Sequence, residues 1–319
     1  MEVVENVVNQ LPTPMAISPV QIPKPKQPPA ERTARSGTAP QSTASGPHQD
    51  FLDNRFVYLT ISAHAGGLSV GVNVNPERYC KRDCELCESA PRTPDREQSF
   101  DVEVMSAELQ RTLAIVHSGR ICHDPKYGAL PRELLKLRHV ALSGDGEPTV
   151  SPRFADAMRS VVHVRARGGF PFFKLVLLTN AAGLNLPPVA KSLELLTSSD
   201  QVWAKLDAGT QAFMDQVSHP RLSLKKVLAN ILMLGRQRPV VIQSLFSSVN
   251  GMEPPAEEIE QYVARLRELK ADGAAISLIQ VYSAIRPMAC SDCRHLPLKA
   301  LSRIAKMIRT TAGLRAEVF

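Results

Sequence analysis

From residue 56 onward, short apolar runs alternate with longer amphipathic ones in a steady order. Runs at 56–62 and 68–74 flank Ala65-Gly66-Gly67 and predict two strands joined by a turn. Further strands are predicted at 137–142, 174–178, 201–206, 240–246 and 275–281. Each is short, apolar and rich in β-branched residues, as strands buried on both faces tend to be. Helical periodicity is found at 106–117, 152–167, 187–196, 224–235, 255–269 and 298–311. Strand and helix alternating in this way imply parallel pairing with right-handed crossovers. Counting from 68–74 there are six β/α units, two short of a closed eight-unit barrel. The expectation is therefore an α/β fold, an open partial (β/α)6 TIM-like barrel over residues 51–319.

Residues 1–50 break this pattern. They hold nine of the 25 prolines, with Ser, Thr, Gln and Gly between them. Such a stretch buries too little apolar surface to offset its ordering entropy, so a disordered Pro-rich tail is expected. The chain of 319 residues is 44% hydrophobic and 22% charged, ordinary for a globular protein. The net charge of +7 falls outside the tail, where four bases balance four acids. That surplus permits a nucleic-acid partner and does not demand one. No apolar run approaches the eighteen or so residues of a spanning helix, and no secretory leader is evident. A cytoplasmic setting without membrane attachment is the expectation.

Chemistry concentrates directly after the second strand, in Gly71-Val-Asn-Val-Asn-Pro-Glu-Arg-Tyr-Cys80-Lys-Arg-Asp-Cys84-Glu-Leu-Cys87. Three of the six cysteines crowd into this loop, a pattern that suits metal binding better than a disulfide framework. A four-iron cluster normally takes four thiolates. With three, one iron stays open for an exogenous ligand. Zinc is the other reading, although structural zinc sites need four ligands and favour paired cysteines. On that reading the chain is a zinc-stabilised nucleic-acid-binding or scaffold protein.

The C-x3-C-x2-C spacing resembles that of the radical S-adenosylmethionine (radical SAM) superfamily. The resemblance implies a [4Fe-4S] cluster on Cys80, Cys84 and Cys87, with S-adenosyl-L-methionine (SAM) chelating the open iron. It implies reductive cleavage of SAM to a 5′-deoxyadenosyl radical that abstracts hydrogen from a substrate. It also implies a protein reductant of the flavodoxin or ferredoxin type. Leu86 departs from the pattern, because an aromatic residue usually precedes the last cysteine.

In an α/β barrel the chemistry collects at the C-terminal ends of the strands. The strand at 137–142 runs into Ser143-Gly-Asp-Gly-Glu-Pro-Thr149, where glycines let a ligand approach the backbone and Glu147 offers a carboxylate to an ammonium. Gly144, Gly146 and Glu147 match the family segment that binds the amino group of SAM. The next strand ends in Thr179-Asn180, and the following one in Lys205-Leu-Asp207. Lys205 suits the methionine carboxylate as a point charge. Gln243 interrupts an apolar strand, where an amide is costly unless hydrogen-bonded. The expected SAM pocket is thus Gly144, Gly146, Glu147, Asn180, Lys205, Asp207 and Gln243. The pieces Ser143–Thr149, 202–209 and 279–287 resemble the wyosine-type tRNA-modifying subgroup, which implies tRNA as one possible substrate. Cys290, Cys293 and His295 form half of a second metal site that Cys122-His123 would complete, or else a loop with free thiols.

Overall fold

The computed structural model describes residues 51–75, 100–217, 222–283 and 293–319. The Pro-rich stretch 1–50 and the cysteines Cys80, Cys84, Cys87 and Cys290 lie outside the described residues.

The strands are β1 (Val57–Ser62), β2 (Gly67–Asn73), β3 (Leu137–Ser143), β4 (Leu175–Thr179) and β5 (Gln201–Lys205). They continue with β6 (Val240–Leu245), β7 (Ser247–Val249), β8 (Ile276–Tyr282), β9 (Cys293–His295) and β10 (Ala316–Val318). The helices are α1 (Val102–His117), α2 (Phe154–Ala166), α3 (Pro187–Leu193), α4 (Gln211–Val217), α5 (Leu224–Gly235), α6 (Ala256–Ala271) and α7 (Leu298–Met307). One sheet runs in the order β1-β2-β3-β4-β5-β6-β8-β10. Every neighbouring pair in it is parallel except β1 with β2.

All six expected β/α strands are present, in chain order across the sheet. The additions are short. β10 has only three residues and extends the parallel run by one strand beside β8. β7 and β9 pair antiparallel as a separate ribbon. Three-residue strands and a seven-residue helix such as α4 cover too few turns for periodicity to register. At the other extreme, α1 begins four residues before the expected start. Asp101 accepts from the Glu103 and Val104 amides at 2.9 and 3.1 Å, a side-chain cap that overrides the strand-like Val102 and Val104.

Alternation along the strands divides the core in two. Val140, Leu142, Leu175, Leu177, Val202, Val240, Ile242 and Ile279 face the helices in the main hydrophobic cluster. Ala141, Val176, Leu178, Trp203 and Val241 form a separate cluster on the opposite, concave face. His64, in the turn between β1 and β2, packs its ring 4.6 Å from Tyr282 and 4.9 Å from Phe319. One edge of the sheet therefore meets residues beside the other. The sheet curls into a partial barrel.

Buried carboxylates tie this frame together. Glu108 of α1 accepts from the Arg55, Phe56 and Val57 amides at 2.7, 2.9 and 3.1 Å and holds the entry to β1. Glu258 of α6 accepts from Gly209 N at 2.5 Å and Thr210 Oγ1 at 2.6 Å, anchoring the turn after β5. Gly209 also lies so close to α6 that a Cβ there would meet Tyr262 N at 2.1 Å. Backbone on both sides leaves no room to yield. Gly209→Ala is expected to cost about 1–3 kcal/mol, read as a lower urea midpoint at unchanged m. A wild-type midpoint would show that the turn and helix separate freely.

Candidate functional site

Parallel pairing brings the ends of β2, β3, β4, β5, β6 and β8 to one mouth, and most of the polar residues on these strands gather there. β2 ends in Asn73, followed by Asn75, both buried. Asn73 Nδ2 donates to Asp145 Oδ2 at 3.0 Å, while its Oδ1 accepts from the Asn75 and Asp145 amides at 3.1 and 3.3 Å. Asn75 Nδ2 donates to the Glu147 carbonyl at 3.2 Å. These bonds fasten the 143–147 loop to the backbone just before segment 76–99. A Cβ on Gly144 would meet Asn73 Oδ1 at 2.6 Å, so this close approach requires glycine. Asn75 Oδ1 is buried without a hydrogen-bond partner among the described residues.

Tyr58 reaches the same region from β1. Its ring lies flat on Gly71, where a Cβ would stand 2.0 Å from it, and its hydroxyl bonds Ser143 Oγ at 2.6 Å. Burial pushes the phenol up to about 12, with Ser143 pulling the other way and Asp145 adding to the rise.

Glu147 is buried and takes four hydrogen bonds. Its Oε1 accepts from Thr149 N at 3.2 Å and from the Thr149 and Thr179 hydroxyls at 2.5 Å each. Its Oε2 accepts from Asn180 N at 2.6 Å. The carboxylate thus clamps the loop after β3 to the end of β4. Asn180 Oδ1 accepts from Ala182 N at 3.0 Å, and Ala181 adopts φ 64°. Asn230 of α5 steadies that turn by donating to the Ala181 and Ala182 carbonyls at 2.8 and 3.2 Å.

Lys205 and Asp207 stand at the end of β5; both residues are partly exposed, but the Asp207 carboxyl group itself is turned into the protein. Asp207 Oδ1 accepts from Leu245 N at 2.8 Å. Burial raises its carboxyl to about 6, against the opposing pull of that bond and of Lys205. Gln243 faces Lys205 across β5 and β6 and Gln280 across β6 and β8. Its Nε2 donates to Gln280 Oε1 at 2.8 Å.

The structure therefore brings Gly144, Glu147, Asn180, Lys205, Asp207 and Gln243 to one end of the sheet, and Gly146 lies in the same loop as Gly144. Asn73, Asn75, Tyr58, Asn230 and Gln280 join them without having been singled out from the sequence. Asn73 and Asn75 could have been found as amides at the end of an apolar strand, the signal that exposed Gln243. Tyr58 and Asn230 carry none, because their roles depend on tertiary contacts.

Cys122 does not approach Cys293. Cys122 lines a separate cleft of about 500 Å³ at the starts of β3 and β4, with Arg132, Arg138 and Lys174. Cys293 pairs with Val249, beyond the end of β6. Among the described residues no three Cys, His, Asp or Glu side chains are grouped to hold a metal. No described helix is long and apolar enough to cross a membrane.

A curled, mostly parallel sheet with helices on its convex face and polar strand ends at one mouth is a partial α/β barrel. A radical SAM methyltransferase from Sphaerobacter thermophilus is similar in fold, with TM-score 0.51 and 13% identity over 82% of this chain and 68% of that one. Archaeal TYW1 aligns with TM-score 0.43 and 17% identity, over 78% of this chain and 73% of that one. No protein-family model and no curated protein matches the chain.

Proposed function

We propose that the chain is a radical SAM enzyme in which Cys80, Cys84 and Cys87 hold a [4Fe-4S] cluster. The observation that carries the proposal is the C-x3-C-x2-C spacing on the segment that begins three residues after β2, on this fold. Three thiolates leave one iron open, and the surrounding residues suit the ligand that would fill it. Gly144 and Gly146 allow the backbone close to that ligand. Lys205 supplies a cation for a carboxylate.

When bound, the cluster and SAM supply reductive cleavage to methionine and a 5′-deoxyadenosyl radical. The protein's part is to bind and orient. Glu147 holds the 143–149 loop on β4 and keeps lone-pair capacity at Oε2. Asn180 presents its Nδ2 group, and Asp207 is steadied by Leu245 N with its second oxygen left for a hydroxyl or amine donor. Gln243 closes the far side of the pocket.

The test is anaerobic reconstitution of the wild-type chain and of Cys84→Ala. The wild type is expected to take up about four irons and as many acid-labile sulfides per chain, and the variant to lose most of both. Equal cluster content in the two would overturn the assignment. About one zinc and no sulfide in the wild type would favour the scaffold reading. The reductant on this reading is a flavodoxin- or ferredoxin-type protein. A tRNA substrate is read out by gel retention that weakens steeply with salt.

A further inference from the structure

We propose that Gln243 and Gln280 together form a subsite for a planar group that presents an N–H beside a C=O. The two residues are register partners on β6 and β8, and each is only 2% exposed. The one bond between them uses one donor and one acceptor. What remains is the Gln243 Oε1 acceptor and the Gln280 Nε2 group, neither with another partner among the described residues. Both residues stand on the concave face of the sheet, in line with Val241 and Leu278.

Two amides placed this deep are costly while part of their bonding capacity is unmet. The offer they make does not depend on how the amides are turned. Rotating both by half a turn reverses the mutual bond and still leaves one donor beside one acceptor. Two steps nearer the strand starts, Val241 and Leu278 belong to the inner apolar cluster with Trp203. Two steps nearer the mouth are Leu245 and Tyr282. The amide couple is thus a polar step in an apolar wall, which suits a flat ligand with one polar edge.

Geometry narrows the ligand class. A trans peptide group points its N–H and C=O in opposite directions and does not match. Lactams, primary carboxamides and nucleobase edges carry the two side by side. The subsite stands without the cluster; that its occupant is the substrate rests on the function proposed above.

The experiment measures binding of four probes to the full chain under anaerobic conditions, by ligand-observed NMR. Uridine and N3-methyluridine form one pair, and 2-pyrrolidinone and N-methyl-2-pyrrolidinone the other. In at least one pair the parent is expected to bind about tenfold more tightly than its methylated form. Gln280→Met is expected to abolish that preference. Preference within the uridine pair alone points to a nucleobase, and within the lactam pair to a carboxamide-type ligand. The double variant Gln243→Met, Gln280→Met removes both partners at once and is expected to melt no lower than wild type. A purely structural pair would instead lose stability when removed. No preference in either pair, or a preference that survives Gln280→Met, overturns the inference. SAM cleavage by the unsubstituted chain is scored separately. Cleavage without probe binding sinks only the subsite, and probe binding without cleavage sinks only the radical reading.

Discussion

Glu147→Ala is expected to destabilise the protein by about 3 kcal/mol or more and to remove SAM binding with it. The residue is 8% exposed, and its two carboxylate oxygens satisfy two amides and two hydroxyls from Thr149, Thr179 and Asn180. Each buried donor left without an acceptor costs about 1–3 kcal/mol, although the hydroxyls can turn to other acceptors. Glu147→Gln discriminates more finely. All four partners donate, yet an amide has a single acceptor oxygen. With that oxygen serving Thr149 and Thr179, the NH2 group would face Asn180 N–H, donor against donor. The amide variant should therefore lose about half as much stability as the alanine variant. It should also shift the end of β4, where Asn180 stands. Urea unfolding and equilibrium dialysis with SAM measure the two effects. Wild-type stability in both variants would mean that the clamp is not holding the loop.

Acidification from pH 7 to pH 5 is expected to cost about 3 kcal/mol of folding free energy. Burial, with Lys205 adding a smaller repulsion, lowers His64 to about 4. Burial, with Lys174 adding to it, lowers His139 to about 3. Below the ordinary histidine value near 6.5, the unfolded chain takes up protons that the folded chain refuses. Each histidine then withdraws about 1.4 kcal/mol per pH unit until its folded value is reached. Asp207 acts in the opposite sense. Its folded value of about 6 lies above the usual carboxyl range, so between pH 6 and 4 the folded chain holds a proton that the unfolded chain gives up. That gain offsets one histidine and leaves a net slope of about 1.4 kcal/mol per pH unit. Asp207→Asn removes the offset, so its slope between pH 6 and 4 should be about twice as steep. Unfolding free energies at pH 7, 6 and 5 for both proteins decide the matter. Flat stability across this range, or equal slopes, would show that these groups are not buried as described.

Much of the fold was legible because its strands are long enough to show an uninterrupted apolar run. The runs around Val140, Val176 and Val241 are buried on both faces, by helices outside and by the inner cluster within. β10 escaped notice because Ala316-Glu317-Val318 is too short, with a charge at its centre, to differ from a frayed chain end. The gathering of Glu147, Asn180, Lys205 and Asp207 at one mouth followed from topology alone, since parallel strands must end together. Their detailed bonding did not. Glu147 reads in the sequence as an acid offered to a ligand, whereas most of its capacity is spent on Thr149, Thr179 and Asn180. Gln243 was conspicuous as an amide in an apolar strand, but its partner Gln280 sits 37 residues further on, in a pairing that only the sheet order reveals. His64 was equally hidden, because its place against Tyr282 and Phe319 depends on the curl of the whole sheet.

The most direct measurement is formation of 5′-deoxyadenosine by the cluster-loaded chain, given SAM and a strong reductant without oxygen. The nucleoside is expected to accumulate only with both SAM and the reductant present, and Cys84→Ala is expected to form none. A chain carrying its full complement of iron and sulfide that leaves SAM intact under these conditions would contradict the radical SAM assignment.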